Sequence, residues 1–142
     1  MVSAGPILTA YVGVSQQRAE ALQAAGEAIP NAVRVQALVD TGASCTCVDY
    51  SILSALDLSP TGSVPVHSPT TGATPETKDQ YDASLLIPGA HATHVPLILQ
   101  TIPVVAAELV AVQGFEVLIG RDILQDCVLV YNGTNGWFTL AF

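Results

Sequence analysis

Asp40 ends an apolar run that alternates Val33, Val35, Ala37 and Val39, and is followed at once by Thr41, Gly42, Ala43 and Ser44. This places a carboxylate on a tight loop at a strand end, where it is available for acid–base chemistry. Gly42 lets a neighbour or a substrate approach the backbone closely, and Thr41 can hydrogen-bond through its hydroxyl. The plain alternative is a strand-terminating turn, in which Asp and Gly are common. A second segment, Val117-Leu118-Ile119-Gly120-Arg121-Asp122-Ile123-Leu124, lies about eighty residues on, with Gly120 ending its apolar strand.

Other reactive side chains are sparse. Cys45, Cys47 and Cys127 give an odd count without the paired spacing of a zinc site. His91 and His94 stand three apart, with no further ligands at a clear spacing. Cysteines and histidines are therefore read as structural or incidental, and neither metal nor cofactor is expected. Asn132-Gly133-Thr134 fits a glycosylation acceptor and a hairpin turn equally well.

The elements that must position Asp40 are mostly strands. Ile7 to Val14 reads as a first strand, and Ser15 to Ala28 as a short helix or loop with Ser15 as a cap. Ala32 to Val39 carries one apolar face and delivers the chain to Asp40. Cys47 to Leu58 is a further short apolar stretch. Ser59 to Asp79 is polar and rich in Thr, Pro and Gly, which suits an exposed hairpin or lid rather than core. Strands are expected at Gln80 to Ile87 and His94 to Leu99, an apolar segment at Val104 to Val112, and a short buried strand at Phe115 to Ile119. Arg121 to Asp126 makes one or two helical turns, and Val128 to Tyr131 pairs with Trp137 to Phe142. The expected fold is all-β with one or two short helices, in a single domain over 1–142.

Composition excludes several classes. The net charge is −8, and the four basic residues, Arg18, Arg34, Lys78 and Arg121, are scattered, so no basic stripe tracks a nucleic acid. No apolar run is long enough to span a membrane, and no basic-then-hydrophobic leader opens the chain. The chain reads as soluble, and as cytoplasmic if full length. Its low charge density makes self-association plausible.

Taken together, Leu38-Val39-Asp40-Thr41-Gly42-Ala43-Ser44 and Leu118-Ile119-Gly120-Arg121-Asp122-Ile123-Leu124 resemble the two signature segments of retropepsin-like aspartic proteases. Gln80-Tyr81-Asp82 is similar to the chain just after the flap in retroviral members, so the resemblance covers most of 32–142. It implies an acid protease barrel and an endopeptidase acting on polypeptide substrates. With one Asp-Thr-Gly per chain, the family's two carboxylates would be Asp40 from each half of a homodimer, sharing one proton and activating a water. Trp137 to Phe142 and the N-terminal residues would form the interface. Thr41 and Gly42 would support the active loops. Ala43, Ser44, a flap around Thr71, Gly72 and Ala73, and Ile119 would contact substrate, although Ile119 reads equally well as core.

The chain departs from the family pattern in three places. Ser15 to Pro30 is an insertion, and Thr101 to Gln113 is longer than in compact viral members. Ser44 stands where viral enzymes often carry an acidic partner for the Arg of the second motif, which leaves Arg121 as a substrate contact or an interface strut. The reading from another functional class is a catalytically silent peptide-binding or dimerisation module of the same fold.

Overall fold

The structure, a computed structural model, describes residues 5–67 and 73–142. Strand β1 (Ile7–Val14) pairs antiparallel with β2 (Val33–Val39), from Ile7 opposite Leu38 to Val12 opposite Val33. Between them lies helix α1 (Gln16–Ala24). The Ser15 side chain caps it by accepting from the Arg18 N–H at 3.2 Å, and Gly26, at φ +72°, ends it. Of this helix only Leu22 is buried, so the insertion sits on the barrel surface.

Strand β3 (Cys47–Asp49) runs directly into α2 (Tyr50–Ala55). Strands β4 (Gly62–Val66) and β5 (Glu76–Ile87) form a hairpin, with Gly62 opposite Gln80 and Val66 opposite Glu76. The polar stretch expected to contribute no core therefore supplies β4 and the first part of β5, which carry no buried residue before Tyr81. Next come β6 (Leu97–Ala107), α3 (Val110–Gln113), β7 (Val117–Ile119), α4 (Arg121–Leu124), β8 (Val128–Asn132) and β9 (Trp137–Ala141).

The sheet order is β1-β2-β7-β3-β6-β5, and β1 also pairs with β5 through Tyr11 and Leu86, so six strands close into a barrel with β4 attached to β5. Closure removes the free edges that an open sheet would expose. Inside pack Val12, Val35, Leu53, Val104, Val117 and Ile119, each at most 2% exposed. The mostly β architecture agrees with the expected fold class, but the described residues contain four short helices rather than one or two. Strand β6 is also continuous where two separate segments were expected. Pro103 lies before Val105, where β3 joins, so β6 has a strand on one side only at that point. A missing N–H is tolerated there.

Beyond the barrel, β8 and β9 form a two-stranded sheet joined by a turn at Gly136. Leu129, Phe138 and Leu140 pack from it onto the barrel core. The alternate residues face outward: Val128 is 63% exposed, Val130 62% and Trp137 76%.

Candidate active site

Strand β7 lies between β2 and β3, parallel to the first and antiparallel to the second. The chain from β2 to β3, residues 40–46, must therefore cross over the end of β7, and the residues that follow β7 lie beneath it. This topology brings the two sequence motifs together.

Asp40 is half-buried, and its N–H donates to the Ile119 carbonyl at 2.9 Å. The loop turns back on it: Gly42 N–H donates to Asp40 Oδ1 at 2.9 Å, and Ala43 N–H to the Asp40 carbonyl at 3.2 Å. A Cβ at position 42 would stand 3.1 Å from that carboxylate oxygen, so glycine keeps the approach open. Among the described residues, this is the one hydrogen bond made by the Asp40 side chain, and it engages Oδ1.

Three consecutive residues after β7 hold the loop at different points. Gly120 presses on the Cys45 backbone so closely that a Cβ there would come within 2.5 Å of the Cys45 carbonyl. Arg121 N–H donates to the Ala43 carbonyl at 2.9 Å, and its guanidinium to the Thr41 carbonyl at 2.8 Å. Arg121 is thus a brace on the Asp40 loop within its own chain. Asp122 takes the buried Thr46 through both oxygens, from the Thr46 N–H at 3.0 Å and the Thr46 hydroxyl at 2.8 Å. The same hydroxyl accepts from Gly120 N–H at 3.2 Å, so Thr46 and Asp122 form a closed clasp.

Asp49 anchors the far side. Only 7% exposed, it caps α2 and also accepts from the Leu109 and Val110 N–H groups at 2.7 and 3.0 Å. Burial pushes its carboxyl up, but hydrogen bonds from the Ser51 hydroxyl and from the Val110, Leu109 and Ser51 amides outweigh this and hold it down at about 2. Cys47 moves the other way. Burial first, then the adjacent Cys45, Asp122 and Asp40, push its thiol up to about 12, so it is protonated at neutral pH and is not the attacking group there.

Thr41, Gly42 and Ser44 are exposed around Asp40, and Ala43 is half-buried. Ala73 lies exposed in the turn before β5, while Thr71 and Gly72 fall outside the described residues. Ile119 is fully buried and packs the barrel interior; its neighbour Leu118 is the half-buried residue of β7. His91 and His94 meet edge to face at 5.0 Å in the exposed β5–β6 connection, away from this loop. Sequence reasoning passed over Thr46, Asp49 and Asp122. Asp122 stood inside the second motif, and Asp49 precedes a helix with Ser51 two residues on, a capping signal.

A family model described as aspartyl protease matches residues 26–123, from the end of α1 through the Thr46–Asp122 clasp. No curated protein matches the chain.

Proposed function

The chain belongs to the retropepsin-like aspartyl protease family, and we propose that it is an aspartic endopeptidase whose active site joins Asp40 from two copies. The observation that carries this is the loop itself. Asp40 is oriented by Gly42 N–H at Oδ1, and its loop is held by Gly120, Arg121 and Asp122. Two such carboxylates facing each other cannot both ionise readily and share one proton. Such a shared-proton pair is the established chemistry of aspartic proteases, so this step follows from the family. The ionised member takes a proton from a bound water, and the protonated member polarises the scissile carbonyl. Water adds to that carbon, the amine leaves with a proton, and the carboxylates regain their starting state.

The exposed outer face of β8–β9, with Val128, Val130 and Trp137, supports self-association, since a second copy would cover it. The substrate would lie extended across Gly42, Ala43 and Ser44, under a flap formed by β4–β5 and including Ala73. Leu118 replaces Ile119 as the apolar wall, because alternation along β7 turns Leu118 away from the core.

The test is cleavage of a diverse peptide library at acidic pH by the wild-type chain and by Asp40→Asn. The variant should lose activity by roughly a thousand-fold or more while keeping its circular dichroism spectrum. Activity in the variant, or insensitivity of the wild type to transition-state aspartic protease inhibitors, would overturn the proposal. Inhibitor binding without cleavage would favour the silent binding module.

A further inference from the structure

Cys45 and Cys47 are both half-buried, Cys45 near the end of the Asp40 loop and Cys47 at the start of β3, and the proposed hydrolysis uses neither. Thr46 between them turns inward to Asp122, so the flanking side chains share the opposite side of the segment. The Cys47 thiol turns back along the chain and donates to the Cys45 carbonyl at 3.9 Å. Two extended residues span at most about 6.6–7.2 Å, whereas disulfides bridge Cα atoms about 4.4–6.8 Å apart. Only a small contraction separates this pair from bonding distance, and the chain already bends at Cys45.

We propose that Cys45 and Cys47 form an oxidisable dithiol, converted by a glutathione-type disulfide into an intraloop disulfide that releases the Thr46–Asp122 clasp and switches off cleavage at Asp40. The output rests on the hydrolytic reading; the thiol chemistry does not. Burial holds the Cys47 thiol up, so Cys45 is the sulfur that attacks first, its proton passing to solvent. Its sulfur bonds to one sulfur of the oxidant, the oxidant's S–S bond breaks, and one glutathione thiolate leaves. Burial, the largest cause of the raised Cys47 thiol, persists after capping, so this second step is the slower one. Cys47 then gives up its proton, attacks the Cys45 sulfur and expels the second glutathione. Overall, two protein thiols are oxidised to one disulfide, and one glutathione disulfide is reduced to two thiols.

Contraction of the Cys45–Cys47 span rotates the peptide units on both sides of Thr46, whose N–H donates to Asp122 and whose carbonyl accepts from Val105 N–H, and so displaces the hydroxyl that joins Asp122 and Gly120. A misplacement of about 1 Å in an active site costs on the order of a hundred-fold in rate, so oxidation is expected to lower activity at least about tenfold.

The experiment equilibrates the full chain carrying Cys127→Ser with a series of reduced-to-oxidised glutathione ratios. Three quantities are read: peptide mass mapping, cleavage rate, and amide exchange at residues 46 and 120. The expected result is a Cys45–Cys47 disulfide, faster exchange at both amides and lost cleavage, all reversed by dithiothreitol. Phenylarsine oxide, a dithiol reagent, should protect the reduced pair. With Cys47→Ser added, the reaction should stop at a glutathione adduct on Cys45. The proposal is overturned if glutathione stays on Cys45 while Cys47 is present, if neither thiol reacts, or if the disulfide forms without change in exchange. Reduced protein that cleaves nothing but shows the disulfide and faster exchange would overturn the hydrolytic reading and uphold the dithiol.

Discussion

Replacing Thr46 with valine exchanges a hydroxyl for a methyl of similar size, at a position with no exposed surface. Packing is nearly conserved, so the cost falls on hydrogen bonds. The Thr46 hydroxyl donates to the Asp122 carboxylate at 2.8 Å, a bond to a charged group with a net contribution of roughly 1.5–3 kcal/mol. It also accepts from Gly120 N–H, and Gly120 is buried, so valine leaves a buried donor without a partner at about 1–3 kcal/mol. The Thr46 N–H bond to Asp122 survives. Since relaxation recovers part of the sum, the expected loss is about 3 kcal/mol. Urea denaturation at fixed protomer concentration, in an Asp40→Asn background that prevents self-cleavage, measures it as a lower midpoint at constant slope. Thr46→Ser keeps the hydroxyl and removes the methyl, at about 1 kcal/mol. If valine proves no more destabilising than serine, the clasp does not hold the loop.

The Asp49 carboxyl lies at about 2 in the folded chain against an ordinary 3.8. A depressed pKa adds stability that is complete above the unfolded value and lost as pH falls through about 2; the difference corresponds to about 2 kcal/mol. Asp49→Ala should therefore remove at least that much at pH 7 and flatten the acid limb in urea melts from pH 5 to 2, and an unchanged acid limb would refute the assignment. Gly120→Ala forces a Cβ against the Cys45 backbone at 2.5 Å, whereas Gly62→Ala meets nothing within 4 Å. The first should lose activity and melt earlier, the second should do neither, and equal behaviour would contradict the close approach. Val130→Glu and Trp137→Glu place charges on the outer face of the β8–β9 sheet. Each should weaken self-association at least about tenfold by sedimentation, since burying an unpaired carboxylate costs well over 1 kcal/mol; unaltered association would move the interface elsewhere.

Strand alternation around Val35, Ala37 and Val39 was readable because a half-buried strand writes its burial into every second residue. Asp40 followed from the turn chemistry beyond it, and Ser15 as a cap from its residue type. The clasp was not readable, because Thr46 and Asp122 are 76 residues apart and a lone sequence does not say which distant donor meets which acceptor. Strand β6 was read as two segments, His94 to Leu99 and Val104 to Val112, and a lone sequence does not reveal that Pro103 between them lies where the strand lacks a neighbour on one side. Ile119 was ambiguous until β7 was seen as a three-residue strand whose first and last side chains both point inward. For Arg121 the missing acidic residue at Ser44 was a correct observation, but a backbone carbonyl, that of Thr41, serves as acceptor, and backbone groups leave no mark on composition.

Strand β7 enters between β2 and β3 from far along the chain: the bonds that fix the Asp40 loop link residues 74 to 80 positions apart. Closing a loop of that length costs about 4 kcal/mol in chain entropy, against about 2 kcal/mol for a ten-residue hairpin. Local pairs such as β1 with β2 and β8 with β9 can therefore form early, while the parallel β2–β7 contact waits for the intervening chain to collapse. During synthesis the order is stricter still. A growing chain that has not yet extended past Asp122 carries Asp40 on an unfixed loop, with nothing to bond Thr46 or the Thr41 carbonyl. The loop that carries Asp40 is therefore among the last parts of the barrel to be fixed, by the order in which its residues are made.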